Sequence, residues 1–224
     1  MAGYEVECNA PRFPIEPHDL LLIWNRYGTN ELLADRFEAQ GGTVLIAENA
    51  YVKGRHDGGD YYALSIHGHN GSGWFPVGGP ERWNDLGVEL KPWRQSGDYI
   101  LIAPNRHFGM RGTVMPANWA AETAKSMGAV QSLPVRIRPH PGNAKPAVPL
   151  EDDLARADTV VVWSSSVGVR ALIEGIKVLC KAPYWICKDW ETLGREQALQ
   201  RLAWGQWTVT EIASGKPFVR LASC

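Results

Sequence analysis

Short apolar runs separated by glycine, proline and polar turns recur along the chain, and their two periods predict alternating strands and helices. Leu20-Leu21-Leu22-Ile23-Trp24 and Thr43-Val44-Leu45-Ile46-Ala47 are apolar runs of strand length. Between them Asn30 to Ala39 places Leu32, Leu33 and Phe37 on one helical face, with Gly41-Gly42 as its stop. A strand, a helix and a strand in this order predict parallel pairing through a right-handed crossover. The stretch from Lys53 to Gly79 breaks the pattern. It is rich in glycine, histidine and polar residues, as in His56-Asp57-Gly58-Gly59-Asp60 and His67-Gly68-His69-Asn70-Gly71-Ser72-Gly73, and predicts an irregular binding loop.

A second block begins near Trp93. Strands are predicted at Asp98–Ala103, Pro134–Arg138, Asp158–Trp163 and Lys177–Cys180, with helices at Pro116–Met127, Leu150–Arg156 and Val167–Ile176. Trp190–Leu202 and Thr208–Ser214 read as two closing helices. The pattern as a whole predicts an α/β protein of Rossmann-like, doubly wound parallel sheets in two lobes, residues 1–92 and 93–224.

Two motifs fall where such sheets hold ligands, outside the carboxyl ends of parallel strands. Arg138-Pro139-His140-Pro141-Gly142 ends one strand, and its prolines take the chain out of regular structure, holding the imidazole in a fixed direction. Ser164-Ser165-Ser166 ends the next, at the start of a helix whose unpaired N–H groups and dipole favour an anion. Each has a plainer reading, as a surface histidine and as helix capping by one serine. Asn105 and Arg106 end a neighbouring strand and are candidates for further contacts to a phosphate, with Arg138 beside them.

Composition removes some classes and leaves others. With 23 basic and 24 acidic side chains the protein is nearly neutral, which gives no global case for nucleic-acid or membrane binding. Cys8, Cys180, Cys187 and Cys224 are scattered without zinc or redox spacing, and Cys180 sits in an apolar run as a small core residue. No basic and apolar leader opens the chain and no run reaches the length of a membrane span, so a reducing cytoplasm is the expected setting. Histidines and aspartates in the 53–79 stretch lack metal-ligand spacing, so no metal is expected. Ten tryptophans are dispersed; packing accounts for most, and a sugar-stacking role remains open for individual ones.

The pairing of a His-Pro motif with a later serine motif resembles the bacterial sialyltransferases and the capsule-polysaccharide Kdo transferases, which have the two-lobed GT-B architecture. Glu48-Asn49-Ala50-Tyr51-Val52 is similar to a degraded form of their Glu-Asp-Gly motif. The stretch from Trp93-Arg94 through Asn105-Arg106 to Arg138–Gly142 also resembles bacteriophage proteins loosely described as glycosyltransferases. The resemblance implies a compact GT-B-like enzyme. It would transfer a sugar from a nucleotide-sugar donor, with no further cofactor and no metal, to an acceptor hydroxyl on a polysaccharide, a protein or a modified DNA base.

In that reading His140, Arg138, Asn105, Arg106 and Ser164, Ser165 and Ser166 hold the donor phosphate, residues 1–92 serve the acceptor and residues 93–224 the donor. The position matching the family's catalytic aspartate is Asn49, which cannot accept a proton. Glu48 or Asp57 is the expected replacement, with Asp60 a further option. Two alternatives stay open: a non-catalytic nucleotide or sugar-phosphate binding module, and a sugar-phosphate isomerase or hydrolase on the same scaffold.

Overall fold

A computed structural model describes residues 5–8, 11–16, 18–69, 71–185 and 188–222. Asn70, Cys187 and Cys224, named above, lie outside the described residues. In chain order the elements are β1 (Leu20–Trp24), α1 (Thr29–Glu38), β2 (Thr43–Asn49), β3 (Tyr61–Ile66), α2 (Glu81–Leu86), β4 (Tyr99–Ala103) and α3 (Trp119–Val130). There follow β5 (Val135–Ile137), α4 (Leu150–Arg156), β6 (Ala157–Val162), α5 (Val167–Ile173), β7 (Lys177–Cys180), α6 (Trp190–Leu193) and α7 (Arg195–Ala203). The chain closes with β8 (Gln206–Thr208), α8 (Val209–Ala213) and α9 (Lys216–Ala222).

Two compact units divide these elements. Unit 1 takes the chain up to Leu86 and again from Gln200, and unit 2 takes Gly87–Leu199. The α/β class holds in both, and they differ in sheet type. Unit 2 has an all-parallel sheet in the order β5-β4-β6-β7, whereas unit 1 has a mixed sheet in the order β1-β2-β3-β8. Its β1 and β2 are parallel as predicted, but β3 and β8 run antiparallel to their neighbours.

The C-terminal segment, expected with the second lobe, belongs to unit 1 because β8 pairs with β3, Trp207 opposite Tyr62 and Gln206 opposite Ala63. A three-residue strand gives no periodic signal, so only the following helix was legible. Strand β3 was likewise hidden within the stretch expected to be irregular. Gly194, at φ 83°, divides the helix expected over Trp190–Leu202 into α6 and α7.

Cores follow from the strand faces. In unit 1 Leu21 and Ile23 of β1 and Val44 and Ile46 of β2 point to one side, where Ala34 and Phe37 of α1 cover them together with Phe13, Ile15 and Leu33. In unit 2 every residue of β4 is buried. Ile100, Ile102 and Val161 meet Met115 and Trp119 on one face, while Val169 and Leu172 of α5 are fully buried where that helix packs on β6 and β7. Each such aliphatic side chain contributes roughly 1.5–3 kcal/mol through burial. The central strands β4 and β6 are thus packed on both faces, and the loops that leave them start from buried residues.

A clasp ties the C-terminal segment into unit 1. The Arg82 guanidinium on α2 forks onto Glu211 Oε1 and Oε2 at 2.8 and 3.1 Å and donates to the carbonyls of Gln206 and Ala203 at 2.6 and 3.2 Å. Its flat face lies 4.0 Å from the centre of the Trp207 ring. Glu211 also completes a capping box with Thr208 at the start of α8. Burial pushes the Glu211 carboxyl up, but Arg82, the Thr208 amide and Lys216 outweigh it and bring it down to about 2.

Candidate functional site at the carboxyl edge of the parallel sheet

All four strands of unit 2 end at the same edge, since all are parallel and Ala103 lies beside Val162, Ile102 beside Ile137 and Val162 beside Cys180. The loops leaving β4, β5 and β6 carry Asn105-Arg106, Arg138 to Gly142 and Ser164 to Ser166. The sequence therefore placed these three groups correctly on neighbouring strand ends.

Asn105 joins two of them. Its Oδ1 accepts a hydrogen bond from the Ser164 backbone N–H at 3.0 Å, linking the end of β4 to the turn after β6. Arg106, the next residue, reaches the other way. Its guanidinium lies so close to Gly142 that a Cβ there would come within 2.3 Å of Arg106 Nε. Gly142 is thus the cradle that lets the arginine lie along the His-Pro loop.

His140 is half-buried, and its loop orients it. Its Nδ1 accepts the Gly142 N–H at 2.9 Å, and its carbonyl accepts the Asn143 and Ala144 amides at 2.8 and 3.1 Å. Burial first, and then the charge of Arg106, push its pKa below the ordinary histidine value. A neutral ring whose Nδ1 is an acceptor carries its proton on Nε2. The imidazole accordingly presents one N–H donor away from its own loop.

The serines divide their labour. Ser165 is buried, and its Oγ accepts the Val167 N–H at 3.3 Å, so the capping read from sequence falls to this residue. Ser166, at the helix boundary, is exposed and its side chain makes no capping bond. Ser164 is fixed through its backbone by Asn105. The loop after β4 is in turn pinned to the end of β6, where Trp163 Nε1 donates to the Thr113 carbonyl at 2.8 Å.

Arg138 occupies a different position. Its Nη1 donates to Asp153 Oδ2 of α4 and to the Val148 carbonyl at 2.8 Å, with both charged side chains about nine-tenths buried. It ties the far end of the His-Pro loop to the helix before β6. Its strand neighbour Arg136 lies 4.0 Å from the centre of the Tyr99 ring.

The carboxylates expected to act as base both belong to unit 1. Glu48, the penultimate residue of β2, is nine-tenths buried, and its Oε1 accepts the Tyr51 hydroxyl at 3.0 Å. Asp57 is exposed on a 3₁₀ turn over Arg55–Asp57. Asn49 is exposed at the end of β2.

In the glycine-rich stretch His67 Nδ1 lies 2.7 Å from Glu38 Oε1, and Glu38 is itself gripped by Arg26 at 2.7 and 2.6 Å. Among the described residues no group of three His, Cys, Asp or Glu side chains is arranged to hold a metal ion. Cys180 is part of the packing, its thiol pushed up to about 11 by burial. No helix among the described residues is long and apolar enough to cross a membrane.

Sequence reasoning missed the roles of Gly142 and of the Asn105–Ser164 link. A glycine following His-Pro was the visible signal for the first; the second joins residues far apart in sequence and leaves no local trace.

Parallel β-strands with helices, in two units, define an α/β fold. Solved structures share this fold at low sequence identity. A beta Kdo 2,7 transferase structure of Thermosulfurimonas dismutans KpsC matches with a TM-score of 0.58 and 15% identity, over 86% of this chain and 79% of that one. A beta Kdo 2,4 transferase structure of the same organism's KpsC matches with a TM-score of 0.55 and 13% identity, over 88% of this chain and 83% of that one. The likeness is one of fold. No protein-family model matches the sequence, and no curated protein does so either.

Proposed function

We propose that this protein is a glycosyltransferase that moves a sugar from a nucleotide-sugar donor to an acceptor hydroxyl without a metal ion. One observation carries the reading. Asn105 and Arg106, adjacent at the end of β4, contact the serine turn on one side and the His-Pro loop on the other, so three strand ends present donors at one edge. The fold shared with the Kdo transferase structures supports the same class.

In this proposal the donor phosphate sits at that edge. As the glycosidic bond to the nucleotide breaks, negative charge grows on the phosphate oxygens. His140 Nε2–H, Arg106 and the Ser164 and Ser166 hydroxyls supply hydrogen bonds and positive charge to it. Ser165 holds the turn, and Arg138 positions the loop through Asp153 rather than by contact with substrate. The acceptor hydroxyl loses its proton as it attacks the anomeric carbon. Glu48 and Asp57 are the carboxylates proposed for that role, Asp57 being exposed and Glu48 engaged with Tyr51.

A second reading, a nucleotide-binding module without turnover, is favoured by Asn49 at the family's base position and by the burial of Glu48. Both readings are tested by screening nucleotides and nucleotide sugars for thermal stabilisation, then assaying donor hydrolysis and transfer with and without EDTA. Turnover that survives EDTA and is lost in His140→Ala supports the transferase. Stabilisation with no turnover supports the module, and no stabilisation by any nucleotide overturns both.

A further inference from the structure

An aromatic and amide cluster in unit 1 has no part in the phosphate site. Trp24 is the last residue of β1 and lies opposite Ala47 of β2; Asn49, two residues on from Ala47, lies opposite Tyr62 of β3. Paired residues, and alternate residues along a strand, share a face of a sheet. Trp24, Asn49 and Tyr62 therefore stand on one face at one end, opposite to the face covered by α1. The rings confirm it, meeting edge to face with centroids 5.9 Å apart.

The cluster is open and fixed. Trp24 is 46% exposed on an edge strand, with Leu22 of the same face 50% exposed. Its backbone is held from both sides. Asn30 Nδ2 donates to the Trp24 carbonyl at 2.9 Å, and the next residue, Asn25, at φ 59°, donates its N–H to the Ala47 carbonyl at 2.9 Å. Among the described residues neither the Asn49 amide nor the Tyr62 hydroxyl makes a side-chain hydrogen bond. Of the charged residues beside the cluster in sequence, Arg26 is turned onto Asp35 and Glu38, and Glu48 stands on the opposite face of the sheet.

We infer that Trp24, Tyr62 and Asn49 form a binding platform for an uncharged saccharide. A pyranose offers one face of C–H groups and a rim of hydroxyls. An indole edged by a second ring covers the first, while an amide and a phenol that can each donate and accept serve the second. None of Trp24, Tyr62 and Asn49 carries a positive charge to meet a phosphate, an acidic glycan or a nucleic-acid backbone. The inference deepens the glycosyl-transfer reading and rests on it in one respect, that this saccharide is the acceptor; the binding itself does not depend on it.

The test uses saturation-transfer NMR on the full chain with neutral gluco-, galacto- and manno-configured oligosaccharides at millimolar concentration. Acidic oligosaccharides, single-stranded DNA and a peptide mixture are run beside them. Neutral saccharides should bind, with affinity at least tenfold lower in Trp24→Ala and Asn49→Ala and largely kept in Trp24→Phe, all with cooperative melting like the parent. Binding of only the acidic, nucleic-acid or peptide probes, binding unchanged in both alanine variants, or no binding would overturn the platform. Nucleotide binding is scored separately on His140→Ala. Glycans held through Trp24 by a protein that takes no nucleotide would leave the platform standing and remove the transfer reading; nucleotide turnover without glycan binding would do the reverse.

Discussion

Asn105 Oδ1 and the Ser164 amide, 3.0 Å apart, connect two strand ends that are 59 positions apart in sequence. The bond makes the serine turn and the loop after β4 one unit, so that a shift in either is felt by both. Removing the acceptor leaves a partly buried N–H without its partner, which costs about 1–3 kcal/mol. Asn105→Ala should weaken nucleotide binding by roughly tenfold or more, whereas Asn105→Asp, which keeps an acceptor oxygen, should restore the turn. Calorimetric titration with the best-stabilising nucleotide of the panel measures both, and equal affinity in Asn105→Ala would remove the link from the site.

Gly142 leaves room for the Arg106 guanidinium. Gly142→Ala should expel the arginine from the His-Pro loop and reduce anion affinity about as much as Arg106→Ala does. The double variant should then be no worse than either single one, because both remove the same contact. Additive losses in the double-mutant cycle would show that the glycine acts elsewhere.

The free protein should hold His140 neutral at pH 7, with the proton on Nε2. Its folded pKa lies below the ordinary value because burial and Arg106 disfavour the imidazolium. In the window between that lowered value and the unfolded value near 6.5 the unfolded chain binds more protons, so stability contributed by this group falls as pH drops through it. Nitrogen NMR of the imidazole should report a titration below 6.5 that moves upward when an anion binds. A midpoint above 6.5 in the free protein would contradict the geometry described.

Acid should loosen unit 1 through Glu211. Its carboxyl is brought down to about 2 in the folded state, from an unfolded value near 4.5. The stability it supplies is complete above the unfolded value and disappears as pH falls from there toward 2. Glu211→Gln should lower the melting temperature at pH 7, by an amount corresponding to about 2 kcal/mol for the lost charged hydrogen bonds. The difference from the parent should shrink as pH approaches 3; a constant difference across pH 3 to 7 would be inconsistent with the Arg82 pair.

Continuous apolar runs made the parallel strands legible, because β4 is buried throughout and β1, β6 and β7 are buried or half-buried along one face. The same rule exposed the strand ends and with them His140, Asn105, Arg106 and the serines. Strands β3 and β8 were not legible. Tyr61 to Ile66 mixes half-buried tyrosines with a serine inside a glycine-rich stretch, and Gln206 to Thr208 is too short to show a period. The division of labour within the site was hidden for another reason. Which of Arg136 and Arg138 turns toward Asp153, and which serine caps α5, depend on groups brought together only by folding.

The mixed sheet of unit 1 draws its fourth strand from the segment that follows unit 2, while unit 2 is built from one uninterrupted stretch. As the polypeptide leaves the ribosome, every residue of unit 2 therefore emerges before β8 does. Until then β3 carries an open hydrogen-bonding edge, of the sort that invites pairing between nascent chains.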